Sequence, residues 1–253
     1  MQAPGILDLP PPEPDFVIAY GSDPNQFGHL RLPKAASRVP VAIVIHGGFW
    51  RAAYDLRHIG HVCEALRKDG IATWSLEYRR IGQAGGGWPG TGEDILAGTA
   101  HVRRLASSHP LDLARVVVIG HSAGGHLALY AGIRKPLVLC GVVALAPVAD
   151  LRRAAELKLS RGVVGELLGS AAYEDASPIE MLPAHIPQRL VHGTADDIVP
   201  MELSRRYEDR ARAKGDDCRL IPLPAAGHFE LIDPRTKEFP IVRDAVTHLL
   251  SLA

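Results

Sequence analysis

Cysteine is scarce in this chain. Three in 253 residues, Cys63, Cys140 and Cys218, fit no metal-ligand spacing and form no C-x-x-C pair. An odd, scattered set reads as reduced thiols in a cytoplasmic protein rather than a disulfide framework. Cys140 lies at the edge of an apolar run, Pro136 to Ala146, and is expected to be buried and inert. A basic excess is also missing, since 28 Lys and Arg are matched by 28 Asp and Glu. Nucleic-acid and anionic-membrane partners, which call for such an excess, are therefore not expected. No apolar stretch approaches the length of a membrane-spanning helix, and Met1 to Asp8 lacks a basic segment followed by an apolar one. There is no charge block, Ser/Gly tract or internal repeat to mark a linker. The expected partner is a small molecule; the composition leaves self-association open.

A hydrophobic fraction of 47% suffices for one sizeable core. Five prolines between Pro4 and Pro14 predict an extended arm over residues 1–15, followed by a single domain over 16–253. Alternating segments at Phe16–Tyr20 and His29–Leu32 flank a Gly-Ser-Asp-Pro-Asn turn and read as a hairpin. Continuous or β-branched runs then predict strands at Val39–Ile45, Ile71–Leu76, Val116–Ile119, Gly141–Leu145, Gln188–His192 and Cys218–Leu223. Helical spacing is expected over Ile59–Lys68, Glu93–Ser107, Ala123–Ile133, Met201–Lys214 and Glu238–Leu252, with a glycine-rich loop at Gly82–Gly92. Strands alternating with helices of this length define an α/β fold: a mainly parallel sheet with helices on both faces. Residues 151–183, charged and only partly helical, are expected to form a small cap.

The stretch from Val116 to Gly125 is the most informative. The buried run ends in Gly120-His121-Ser122-Ala123-Gly124, a G-x-S-x-G sequence placed between a strand and a helix. Glycines two residues either side of Ser122 let neighbouring backbone pass close to a sharp turn, and the helix N-terminus favours negative charge there. A serine at neutral pH needs a base, and the base needs an orienting carboxylate. On a parallel sheet these come from loops at the carboxyl ends of strands. Two such loops carry suitable residues: Gly193-Thr-Ala-Asp196-Asp197, and Gly227-His228-Phe-Glu230. Asp196 is preferred over Asp197 because it starts the D-x-x-V-P segment. Two amides should face the developing oxyanion, that of Ala123 and one from Gly48 or Phe49 in the His46-Gly47-Gly48-Phe49-Trp50 loop. His46 is expected to brace that loop. Trp50, Trp88 and His121 are candidate pocket residues. Arg79 or Arg80 offers a grip on a substrate carboxylate, although an ion pair with Glu77, Glu93 or Asp94 is the commoner use of such an arginine.

These three motifs, in this order and over nearly all the chain after residue 16, resemble the α/β-hydrolase superfamily. His46-Gly-Gly-Phe-Trp50, Gly120-His-Ser-Ala-Gly-Gly125 and Gly227-His-Phe-Glu230 are similar to the branch holding carboxylesterases and animal and fungal-type kynurenine formamidases. The formamidases usually read HGGYW, and Phe49 departs from that pattern. The resemblance implies a serine hydrolase needing neither metal nor cofactor, with a Ser122–Asp196–His228 triad acting on small or aromatic soluble esters. An arylformamidase acting on N-formylkynurenine-type amides is the alternative. Behind it stand an exopeptidase-like activity and a non-catalytic binding role.

Overall fold

The computed structural model describes residues 5–35 and 37–252. Eight strands form one sheet: β1 (Phe16–Ala19), β2 (Phe27–Arg31), β3 (Val39–Ile45), β4 (Ala72–Leu76), β5 (Leu111–His121), β6 (Gly141–Leu145), β7 (Gln188–Gly193) and β8 (Cys218–Leu223). Their spatial order is β1-β2-β4-β3-β5-β6-β7-β8. β1 and β2 form an antiparallel hairpin with Phe16 opposite Leu30, and β2 runs antiparallel to β4. From β4 to β8 every pairing is parallel. Strand β5, which leads into Ser122, is thus central, and the carboxyl ends of β3, β5, β6, β7 and β8 share one edge.

Alternation along each strand divides the core between the two faces. Ile43, Ile45, Val116 and Val118 pack with Trp74, Leu127 and Tyr207 on one side. Ala42, Val44, Val117 and Ile119 pack with Val62, Leu66, Val242 and Leu249 on the other. The main helices are α1 (Gly60–Lys68), α2 (Gly90–Ala100), α3 (Val102–Ser108) and α4 (Ala123–Arg134), followed in the cap by α5 (Leu151–Glu156), α6 (Leu159–Leu168) and α7 (Tyr173–Ala176). α8 (Glu202–Ala213) and α9 (Phe239–Leu250) complete the set, within two residues of the sequence expectation at each end.

Four expectations need correction. The helix expected from Glu93 begins at Gly90, inside the expected loop. There Gly90 and Gly92 serve close packing: a Cβ on Gly90 would lie 2.0 Å from the Gly85 carbonyl oxygen, and one on Gly92 2.8 Å from the Trp88 ring. That helix is also divided at His101 into α2 and α3. β5 starts five residues before Val116, at Leu111, which pairs with Val39 across a register shift. Cys140 is only half-buried; its thiol faces the Ala114 carbonyl at 3.4 Å, whereas Cys63 and Cys218 are buried. The arm is not wholly extended: Ile6–Asp8 form a 3-10 turn, closed by the Gly5 amide on Asp8 Oδ2 at 3.0 Å, and Ile6 is buried in the core. Residues 1–4 of the arm, and position 253, fall outside the described residues.

The segment after β6 forms α5, α6, α7 and a 3-10 turn, Pro178–Met181. Lys158, Ser160, Arg161 and Gly162 all hold positive φ, so regular right-handed helix in α6 begins only at Val163. No helix among the described residues is long and apolar enough to cross a membrane.

Candidate active site

Ser122 sits between β5 and α4 with φ 59° and ψ −120°, a conformation that costs a non-glycine residue about 1–3 kcal/mol. Its amide donates to the Leu145 carbonyl at 2.7 Å, which ties the turn to β6. The flanking glycines are there for backbone clearance. A Cβ on Gly124 would fall 2.2 Å from the Ile45 carbonyl oxygen, and one on Gly120 2.0 Å from that of Gly124. The loop after β3 abuts the same turn: a Cβ on Gly47 would approach Ser122 Cβ to 3.1 Å and the His121 carbonyl oxygen to 2.8 Å. Gly48, Phe49 and Trp50 then follow with φ of 108°, 50° and 56°. Three successive left-handed residues turn this loop tightly around the serine.

His46 braces the loop. Its Nε2 lies 3.0 Å from Glu77 Oε1, its ring stacks on Tyr78, and the Tyr78 hydroxyl donates to the His46 carbonyl at 2.9 Å. Glu77 is buried and also takes the Leu56 and Tyr78 amides, at 3.1 and 3.0 Å, and Arg80 Nη1 at 3.1 Å. Burial pushes its pKa up, but His46, Arg80 and the Tyr78 amide outweigh that and hold it below the usual value. Arg79 pairs through two nitrogens with Asp94, at 2.8 and 2.6 Å. Both arginines are therefore spent on structure, and neither is offered to a substrate carboxylate.

The structure brings Asp196 and His228 together. Asp196 Oδ2 is 2.6 Å from His228 Nδ1, while Oδ1 accepts the Ile198 and Val199 amides at 2.9 and 2.8 Å. His192 Nε2 lies 3.3 Å from the same Oδ2. Burial alone would raise the carboxyl pKa; the hydrogen bonds from His192, His228 and the Val199 amide reverse this and hold it well below the ordinary carboxylate range. Asp197 is exposed and makes no such contacts among the described residues. His228 is buried, with its ring 4.4 Å from that of His121, the residue before Ser122.

Of the three candidate pocket residues, Trp50 and His121 turn inward and Trp88 does not. Trp50 is fully buried; its indole N–H donates to His126 Nδ1 at 3.2 Å, so it packs beneath the loop and lines no open pocket. His121 is also fully buried, and its size and polarity serve an internal chain. His121 Nε2 is 3.0 Å from the His228 carbonyl, which can only accept, so Nε2 carries the proton. His121 Nδ1 must then accept, and His58 Nε2 donates to it at 2.8 Å. Only Trp88 reaches a cleft. Its ring meets Tyr130 edge-on at 4.8 Å, beside Glu93 and Arg134 in a recess of about 470 Å³ under the cap.

Sequence reasoning missed His126 and His58. His126 Nε2 donates to the Ala176 carbonyl at 2.8 Å, so one neutral ring joins the loop after β3, α4 and the segment after β6. Burial pushes its pKa down to about 4. His58 is driven down to about 3, first by burial and then by His46 and His228. His58 also edges a cleft of about 560 Å³, where Ile6, Leu7 and Pro11 of the arm face Tyr54 and Arg57. Tyr54 lies against Gly48, a Cβ on which would come 2.4 Å from that of Tyr54, so this cleft adjoins the loop after β3. Among the described residues no three His, Cys, Asp or Glu side chains cluster as metal ligands.

A strained serine at a strand-to-helix turn, on a parallel sheet whose later loops deliver a joined carboxylate and histidine, places the protein in the α/β-hydrolase superfamily. The profile of the BD-FAE family matches residues 29–210, well over half of the chain, and the chain belongs to that family. Esterase LipC of Mycobacterium tuberculosis is 27% identical over 243 residues, covering 85% of this chain. The chain spans only 60% of the length of LipC. Among solved structures, a truncated carbohydrate esterase from gut microbiota superposes with TM-score 0.81 at 22% identity, covering 96% of this chain and all of that one. Esterase Est2 of the planctomycete Thermogutta terrifontis gives TM-score 0.75 at 23% identity, covering 93% and 91%. These structural likenesses establish the fold.

Proposed function

We propose that this protein is a serine hydrolase that cleaves carboxylic esters of small or aromatic soluble substrates through an acyl-enzyme. The observation that carries the reading is the 2.6 Å contact between Asp196 and His228, with His228 packed on the residue preceding a strained Ser122. His228 Nε2 takes the Ser122 proton as Oγ attacks the ester carbonyl. Asp196 keeps the imidazole in the Nδ1–H tautomer and stabilises the imidazolium that forms. The carboxylate is suited to this: its second oxygen is occupied by two amides and it stays ionised over the whole working range.

The tetrahedral oxyanion is held by the Ala123 amide and by that of Gly48 or Phe49, each such donor contributing about 2.7–4 kcal/mol to barrier lowering. His228 then returns the proton to the leaving alcohol, and water repeats the sequence on the acyl-enzyme. Names of relatives support ester over formamide cleavage: LipC is called an esterase, and the structural neighbours include several esterases.

The test is kcat/KM for a p-nitrophenyl ester chain-length series beside N-formylkynurenine, with Ser122→Ala as control. Fast turnover of short esters, abolished in the variant, is expected. A variant that keeps most of its rate overturns the nucleophile assignment. Deformylation at or above about 10⁴ M⁻¹s⁻¹ with slow ester cleavage overturns the ester reading.

A further inference from the structure

Arg31 is 2% exposed, yet of its three guanidinium nitrogens only Nη2 has a partner, donating to the Pro12 carbonyl at 2.7 Å. Nε and Nη1 are buried with no hydrogen-bond partner, and the nearby Nδ1 of His29 is in the same condition. No carboxylate among the described residues lies within ion-pair distance of Arg31. The neighbouring acids are engaged elsewhere: Glu64 holds Arg67 at 2.7 and 2.6 Å, and Asp15 accepts the Leu32 amide at 2.7 Å. A buried cation without a counter-charge is strongly unfavourable, and an arginine does not escape by losing its proton. Burial and the Arg31 charge hold the His29 pKa below its usual value, and in the Nδ1–H tautomer its ring offers a donor without a second charge.

Arg31 and His29 line a recess of about 60 Å³, partly covered by Pro11, Pro12 and Pro14 of the arm and edged by Glu13 and Arg57. At about 30 Å³ for each water, it holds two waters or one small ion with a water. The lining presents donors, a net positive charge and proline ring carbons. Arg57 is largely taken up by Asp55 at 3.2 Å, and Glu13 is exposed at the rim.

We propose that this recess is a binding site for a small monovalent anion of chloride or formate size, held by Arg31 and His29 and closing the arm against β2. The anion supplies the counter-charge the fold omits. It also fixes the same arm that forms a wall of the cleft beside Tyr54, without touching the reacting groups.

The experiment is thermal unfolding of the full chain in chloride, bromide or formate, each titrated at constant ionic strength with gluconate, which is too large for the recess. A saturating rise in Tm of a few degrees is expected with the anion that binds, because a ligand that binds only the native state stabilises it. Arg31→Met should abolish that rise while leaving kcat for a short ester unchanged. Glu13→Gln should preserve or strengthen it. Bromide-soaked wild-type crystals should show an anomalous peak beside Arg31, and this readout survives if Arg31→Met fails to fold. A linear, anion-independent salt response with no bromide peak overturns the site in favour of water. Anion stabilisation confined to Glu13→Gln overturns it in favour of Glu13 as the counter-ion.

Discussion

The Trp50 indole N–H and the Nδ1 of His126 meet at 3.2 Å in a wholly buried position, with the two rings at 88°. His126 passes the link on to the Ala176 carbonyl, so one imidazole fastens the turn after β3 to the cap across α4. Replacing His126 by leucine keeps the volume roughly but orphans two buried groups. A loss of about 2–6 kcal/mol in urea unfolding is expected, at about 1–3 kcal/mol for each of the two unsatisfied groups. Glutamine, which can both donate and accept, should recover part of it.

The same ring makes stability depend on pH. His126 titrates at about 4 in the folded protein against 6.5 as the ordinary value, so the unfolded chain binds its proton first as pH falls. The stabilisation is complete above pH 6.5 and is lost as pH falls toward 4. About 2 kcal/mol should disappear between pH 6.5 and 5 from His126 alone, at about 1.4 kcal/mol per pH unit. His121, held well below its usual value by burial first and the neighbouring His228 and His58 next, adds a loss of the same sign. Unfolding followed from pH 7.5 to 4.5 checks this, and His126→Gln should flatten the slope.

Backbone strain at Ser122 separates stability from activity. Glycine accepts φ 59° and ψ −120° freely, whereas alanine does not. Ser122→Gly should therefore be more stable than Ser122→Ala by about 1 kcal/mol or more, with both variants inactive. Equal melting temperatures would mean that the turn relaxes in one of them.

Adjacent aspartates give a matched pair of variants. Asp196→Asn removes the acceptor that fixes the His228 tautomer and should lower kcat by about 10⁴ with little change in KM. Asp197→Asn alters only an exposed side chain and should stay within about twofold of the parent. The comparison needs only kcat and KM for one short ester.

What the chain discloses without coordinates follows a physical division. Ser122, Asp196 and His228 each follow an apolar run and a glycine, so their common edge is readable from strand periodicity and parallel connection. The α/β architecture is legible for the same reason. His58 and His126 are not, because they are two among 12 histidines and their partners lie 63 and 50 residues away. Trp50 and His121 sit beside motif residues, yet their side chains turn inward, and neighbourhood in sequence says nothing about that direction. The glycines at 90 and 92 look like loop residues because a close contact and a flexible turn call for the same amino acid. The turn of the arm at Ile6 depends on one buried side chain, which a row of prolines conceals.

α4 leaves the carboxyl edge of the sheet at Ala123 and delivers the chain to Lys135 at the opposite, amino edge, about 18 Å away at about 1.5 Å per residue. The short connection to β6 there carries Val138, 78% exposed. A molecule tethered to a surface through a single engineered cysteine at that position would stand with the Ser122 edge of its sheet pointing away from the support. The fold thus has a built-in heading, and immobilisation at this turn would leave the route to Ser122 unobstructed.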